Sequence, residues 1–162
     1  MDYCVGIPRA ETVSTFIETI AAIGDEQQCV IQAVDPRYCA GPTHLETAFA
    51  YAERAEDRGE LIADTLAMEV LLYAAGTRQI EEALTIGPDS VDEPVLVGWN
   101  GSEKAAVREQ IEAELTETTD QWQPDAARIQ SWFAITDVER NATAASLEAL
   151  VVERVVLLAI EK

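Results

Sequence analysis

The chemistry on offer in this chain is narrow. A single histidine, His44, follows Cys39 by five residues, and these two are the materials for a thiol–imidazole pair if the intervening loop folds back. A second group is Gly76-Thr77-Arg78-Gln79-Ile80, where a glycine break ends an apolar run and brings polar side chains to the start of a new segment. Such a break gathers backbone N–H groups and side-chain donors in one place, suited to a polar or anionic ligand. The plainer account is that Gly76 and Thr77 are helix caps and Arg78 a solvated charge. A third group lies on one face of a helical stretch from His44 to Arg58. His44, Thr47, Tyr51, Arg54 and Arg58 recur there at spacings of three and four. That face could meet RNA, or its arginines could pair with glutamates one turn away.

Other chemistries find no purchase. One histidine and three scattered cysteines make no metal-ligand spacing, and no glycine-rich phosphate loop is present. Thirty acidic residues guarantee carboxylate pairs, and none stands out. The reading is of a protein without catalytic residues, metal or cofactor.

The elements that must position these groups read as a small α/β (α+β) domain spanning 1–162, about three strands wrapped by several helices. Strands are expected at Tyr3–Ile7, Cys29–Val34 and Val95–Trp99, the last introduced by Pro94. Helices are expected over Glu11–Ile23 (closed by Gly24), over His44–Arg58 behind a Thr43 cap, and over Leu61–Ala74. Further helices follow at Thr77–Thr85, after a Ser102 cap with Val107, Ile111 and Leu115 in register, at Asp125–Phe133 and at Ala145–Glu161. The last is apolar on two sides: Leu147, Leu150, Val151, Val155 and Leu158 form one stripe, and Val152, Val156 and Ala159 a second. A helix apolar on two sides buries one in its own core and leaves the other for a neighbour or a partner.

The net charge is −19, with nine arginines and two lysines among the eleven basic residues. So strong an acidity keeps a protein soluble in high salt and points to a halophilic source. It also argues against a broad RNA-binding surface, leaving room only for a local contact built from arginine and stacking groups. The N-terminus carries no signal-peptide pattern and no run suits a membrane span. The odd cysteine count fits a reduced, cytoplasmic setting.

Thr43-His44-Leu45 with Ala48, Gly59-Glu60-Leu61-Ile62-Ala63, Glu69 to Leu84, and Val151-Val152-Glu153-Arg154-Val155, in that order, resemble the small accessory subunit of the archaeal and eukaryotic KEOPS complex. The resemblance runs from about Ile31 to the C-terminus and is weak between Thr116 and Ala145. It implies a non-catalytic subunit in tRNA threonylcarbamoyladenosine modification, which binds the small atypical kinase of the complex and captures the tRNA 3′ CCA end. On that resemblance His44, Gly76, Thr77, Arg78, Gln79 and Ile80 are the RNA-binding candidates, with Tyr51 and Arg54 added from the helix-face argument. The C-terminal helix, through Leu147, Leu150, Val151, Val155 and Leu158, is the candidate surface for the kinase-like partner. The scarcity of lysine departs from the family's habit. Two other readings stand beside this one: a regulator of the kinase-like partner that never touches RNA, and an enzyme using Cys39 and His44.

Overall fold

In chain order the elements are β1 (Asp2–Pro8), α1 (Val13–Gln27), β2 (Ile31–Val34), a 3-10 turn (Pro36–Tyr38), α2 (Pro42–Asp57), α3 (Leu66–Ala75), α4 (Ile80–Ala83) and a second 3-10 turn (Leu84–Ile86). Then come β3 (Val95–Trp99), α5 (Ala105–Ala113), β4 (Leu115–Thr119), α6 (Ala126–Trp132), α7 (Asp137–Ala142) and α8 (Leu147–Glu161). The structure, a computed structural model, describes residues 1–101 and 105–161. The expected Ser102 cap lies outside those residues. Two compact units emerge: Met1–Pro36 with Gly87–Trp122, and Arg37–Ile86 with Gln123–Lys162.

The first unit is a four-stranded sheet in the order β2-β3-β1-β4, with every neighbouring pair antiparallel. With α1 between β1 and β2, and α5 between β3 and β4, this is the split βαβ arrangement. Alternation sets which side chains turn inward: Val95, Val97 and Trp99 of β3 join Ile31 and Ala33 of β2, and Phe16, Ile20 and Ile23 of α1 cover them at helical spacing. Thr12 caps α1 by accepting from the Thr15 N–H at 3.1 Å. The helix runs through Gly24 and closes at Gln28, which takes the left-handed conformation.

The sheet has four strands where about three were expected. Leu115 was read as the third apolar position of a helix, yet the helix ends at Ala113 and Leu115 opens β4 opposite Pro8. The rest of β4 is Thr-Glu-Thr-Thr and largely exposed, so no apolar pattern announces it. Its hydrogen bonds to β1 hold it in place.

The second unit is helical. Its Leu45, Ala48, Phe49, Ala52 and Ala55 form the buried stripe of α2 that the sequence implies, and α2 packs against both α3 and α8. Residues Glu69 to Ala75 of α3 are buried on every side. Glu69 is wholly enclosed, and its carboxylate accepts from the Ile62 and Ala63 N–H groups, the latter at 2.8 Å. On α8, Leu150, Val151, Val155 and Leu158 are buried, and Leu147 packs at the edge of a core formed with Ile129, Phe133 and Ile135. The stripe assigned to a partner is therefore the inward face of the helix, already covered within this unit. Its outward apolar side chains are Leu157, 38% exposed, and Ile160, 74% exposed.

Candidate functional site

Helices α2 and α3 meet where α2 begins and α3 ends. Pro42 occupies the first turn of α2, and the Gly41 cap has no side chain to satisfy the N–H groups behind it. Glu148 of α8 does so instead, its Oε2 accepting from the Thr43 N–H at 3.0 Å and the His44 N–H at 3.3 Å. A carboxylate is well placed there, against the positive end of the helix dipole. The expected Thr43 cap is thus replaced by a side chain from 105 residues further along the chain.

His44 is 1% exposed. The Ala40 N–H donates to its Nδ1 at 3.0 Å, which leaves the proton on Nε2 to be donated to the Ala74 carbonyl at 2.8 Å. The Phe133 ring meets it edge-on at 5.6 Å. Burial pushes the imidazole down to about 4, so it is neutral at ordinary pH. This corrects the expectation of direct RNA contact: both ring nitrogens are occupied and the side chain is under the surface. What His44 does is tie the start of α2 to the end of α3.

The neighbouring Cys39 is equally unsuited to nucleophilic work. It is buried, its Sγ donates to the Gly41 carbonyl at 3.4 Å, and burial pushes its thiol up to about 12. With no thiolate and no spare imidazole nitrogen, this geometry does not assemble a Cys–His catalytic pair. No group of three or more metal-binding side chains gathers among the described residues.

Two residues beyond Ala74 comes the glycine break. Gly76 closes α3 in the left-handed conformation, with φ of 66°, and the Gly76 and Thr77 N–H groups return to the Tyr73 and Leu72 carbonyls. A side chain there would be strained by the backbone and would bring a Cβ to 3.2 Å from the Phe133 ring. Thr77 then folds the turn, its hydroxyl donating to Glu82 at 2.8 Å and accepting from the Gln79 N–H at 3.1 Å. The helix that follows, α4, starts only at Ile80 and has four residues. A ligand at this turn would therefore meet side chains more than a helix dipole. Arg78, Gln79 and Ile80 are all exposed. Arg78 makes no hydrogen bond or ion pair among the described residues. By contrast, Arg108 is held by Asp2 and Glu112, and Arg154 grips both oxygens of Glu139.

The turn is also held from the side. Trp132 of α6 donates its indole N–H to the Ala75 carbonyl at 2.9 Å, and its ring meets Tyr38 edge-on at 5.7 Å. Arg128, one turn earlier on α6, lies over the Tyr38 ring at 5.5 Å. None of Glu148, Tyr38, Arg128 and Trp132 was singled out from sequence. The only signal for the last three was their type, since aromatic residues are few and cations are far outnumbered by acids in this chain.

Tyr51 and Arg54 are not part of this end. They sit further along α2, where Arg54 lies 4.7 Å over the Tyr51 ring, and Tyr51 faces Tyr73 at 6.0 Å. A small cavity of about 60 Å3 joins Tyr51, Arg54, Arg58, Glu60 and Tyr73 with Ala159 of α8. Seven and ten residues of helix separate Tyr51 and Arg54 from His44, which is about 10 and 15 Å of rise. The stripe read from periodicity is therefore divided between two places.

A family model described as kinase binding protein CGI-121 matches residues 10–159. The chain belongs to that family. No curated protein matches it. Its family is thus one of kinase-binding proteins; the Gly76 turn and Leu157 of α8 fall within the matched residues, and Ile160 lies one residue beyond them. No helix among the described residues is long and apolar enough to cross a membrane.

Proposed function

We propose that this protein is the non-catalytic, kinase-binding subunit of a KEOPS complex from a halophilic archaeon. In the cytoplasm it attaches to the small kinase-like subunit and captures the 3′ CCA end of tRNA with the Gly76–Ile80 turn. The observation that carries the RNA half is Arg78. In a chain of net charge −19 it stands exposed, with no partner among the described residues, on a turn backed by Phe133 and Trp132. An unstacked RNA end needs only a few such contacts: a cation for phosphate, an amide such as Gln79 for a base edge, and an apolar wall such as Ile80. His44 serves this site by fixing the end of α3, without touching the ligand.

The kinase-like partner is assigned to the outward side of α8, at Leu157 and Ile160. The Tyr51–Arg54 cluster, which shares a cavity with Ala159, borders that side and fits a partner's acidic rim better than the RNA turn.

The test is binding of purified protein to matched tRNAs with and without the CCA end, in molar KCl. Removal of CCA should abolish binding, and Arg78→Glu should weaken it by at least about tenfold, the loss of one charge-assisted contact with repulsion added. Equal binding of both tRNAs would remove the capture half. The chain would then be a regulator of its kinase-like partner alone, which the kinase-binding family description accommodates equally. For that partner, Ile160→Glu should abolish co-purification while leaving the melting temperature within a few degrees of wild type, because the side chain is 74% exposed. Unchanged co-purification would move the interface off α8.

A further inference from the structure

Most arginines of this chain are tied down. Arg108 and Arg154 hold carboxylates, Arg128 bonds Asp125, Arg140 bonds Gln130, and Arg9 bonds the Leu115 carbonyl. Arg54 and Arg58 are not held in this way. Both are exposed at the end of α2, and neither guanidinium makes a hydrogen bond or ion pair among the described residues. Four residues apart, they stand on one side of the helix, separated by about 6 Å along its axis. Like charges at that spacing repel. The dipole at the end of α2 favours a cation there, yet it does not explain why neither finds a counter-ion in a chain with thirty acidic residues. Glu60 borders the same small cavity and bonds neither of them.

The surroundings say which kind of anion fits. The Arg54 guanidinium rests 4.7 Å over the Tyr51 ring, and Ala159 of α8 lines the cavity with both arginines. Helices α2 and α8 run side by side in the same direction, since Glu148 bonds the start of α2 and Ala159 meets its end. The half-buried Val152 and Val156 share the face of α8 that carries Ala159, so an apolar strip leads up to the cation pair. A cavity of about 60 Å3 takes a carboxyl group and not a nucleobase. Arginine and tyrosine beside an apolar strip is the make-up of a protein-binding hot spot. We propose that Arg54 and Arg58 receive two carboxylates from one acidic segment of the kinase-like subunit, whose apolar side chains lie on Val152, Val156 and Ala159. The inference rests on the reading that α8 faces that partner, and it adds the charge that sets the register of the contact.

The experiment titrates the kinase-like subunit against the whole chain, in KCl from about 0.5 to 2 M. Arg54→Gln and Arg58→Gln should each weaken binding by about tenfold, as loss of one charge-assisted contact does, and the double variant by more. The double variant should also flatten the dependence of affinity on salt, which a merely structural role leaves unchanged. Arg140→Gln, an exposed cation on α7, should bind as wild type does and so controls for net charge. Circular-dichroism melts of all variants should stay within a few degrees of wild type, because these side chains are exposed. Undiminished binding by the double variant, with Ile160→Glu still defective, overturns the proposal and leaves the partner on α8. If Ile160→Glu binds normally as well, the reading of α8 fails and the proposal with it. Weaker binding with an unchanged salt dependence makes the arginines packing groups and overturns the pairing. So does a double variant that loses tRNA while keeping the kinase-like subunit, for the arginines then meet phosphate.

Discussion

The two ends of the α2–α3 pair treat polar groups in opposite ways. At the His44 end the imidazole is sealed in and both its nitrogens are bonded to backbone. At the other, Arg54 is exposed and rests on the Tyr51 ring with water on its far side. Helical periodicity places these residues on one stripe, but the stripe crosses two environments. The end of α3 and Phe133 close over His44, whereas the C-terminal half of α2 is open beside α8. Shared face does not mean shared role.

That contrast can be broken most forcefully at the closed end. His44→Ala removes a buried ring and leaves the Ala40 N–H and Ala74 carbonyl unpaired, which should cost about 3 kcal/mol. Urea titration reads it as a lower midpoint with little change of slope, and a loss under about 1 kcal/mol would mean the bonds to His44 hold nothing. The pH dependence of stability should carry the same mark. A histidine held near 4 when folded and 6.5 when unfolded makes the unfolded chain bind the extra proton, so its contribution is whole above 6.5. It fades as pH falls towards 4, at about 1.4 kcal/mol per pH unit. Because the acidic residues titrate as well, the quantity to compare is wild type minus His44→Ala from pH 7 to 4.5, and a flat difference would place the ring in water. At the open end effects should be small. Arg54→Ala loses an exposed cation–π contact worth about 0.5–1 kcal/mol and should leave CCA-dependent binding unchanged. A defect as large as that of Arg78→Glu would restore Tyr51 and Arg54 to the RNA site.

How far the chain could be read follows from which signals are local. Pro94 and the apolar run after it placed β3 at its observed bounds, and Gly76 marked the end of α3 correctly. The buried stripe of α2 was likewise legible, since five apolar residues at helical spacing have one way to pack. By contrast, β4 is polar and held by its neighbour strand, and α7, with no buried residue, has no stripe to detect. The inward face of α8 was mistaken for a partner surface because two apolar stripes do not say which one the core takes. At the candidate site the turn was visible from its glycine. Its supports were not, because Trp132 reaches the end of α3 from 57 residues away and Glu148 holds the start of α2 from 105 residues away.

The bond between Glu148 and the start of α2 also bears on how this sequence can vary. A Cβ on Gly41 would run into the Glu148 carboxylate, so position 41 stays bare on account of a side chain on another helix. Its backbone is extended and would accept any residue. The two positions can therefore drift only together. A serine or aspartate at 41 could cap α2 by itself and would release 148 to become small, whereas glycine at 41 needs glutamate at 148. Related chains should carry one combination or the other, and a mixed pair would mark a reshaped start of α2.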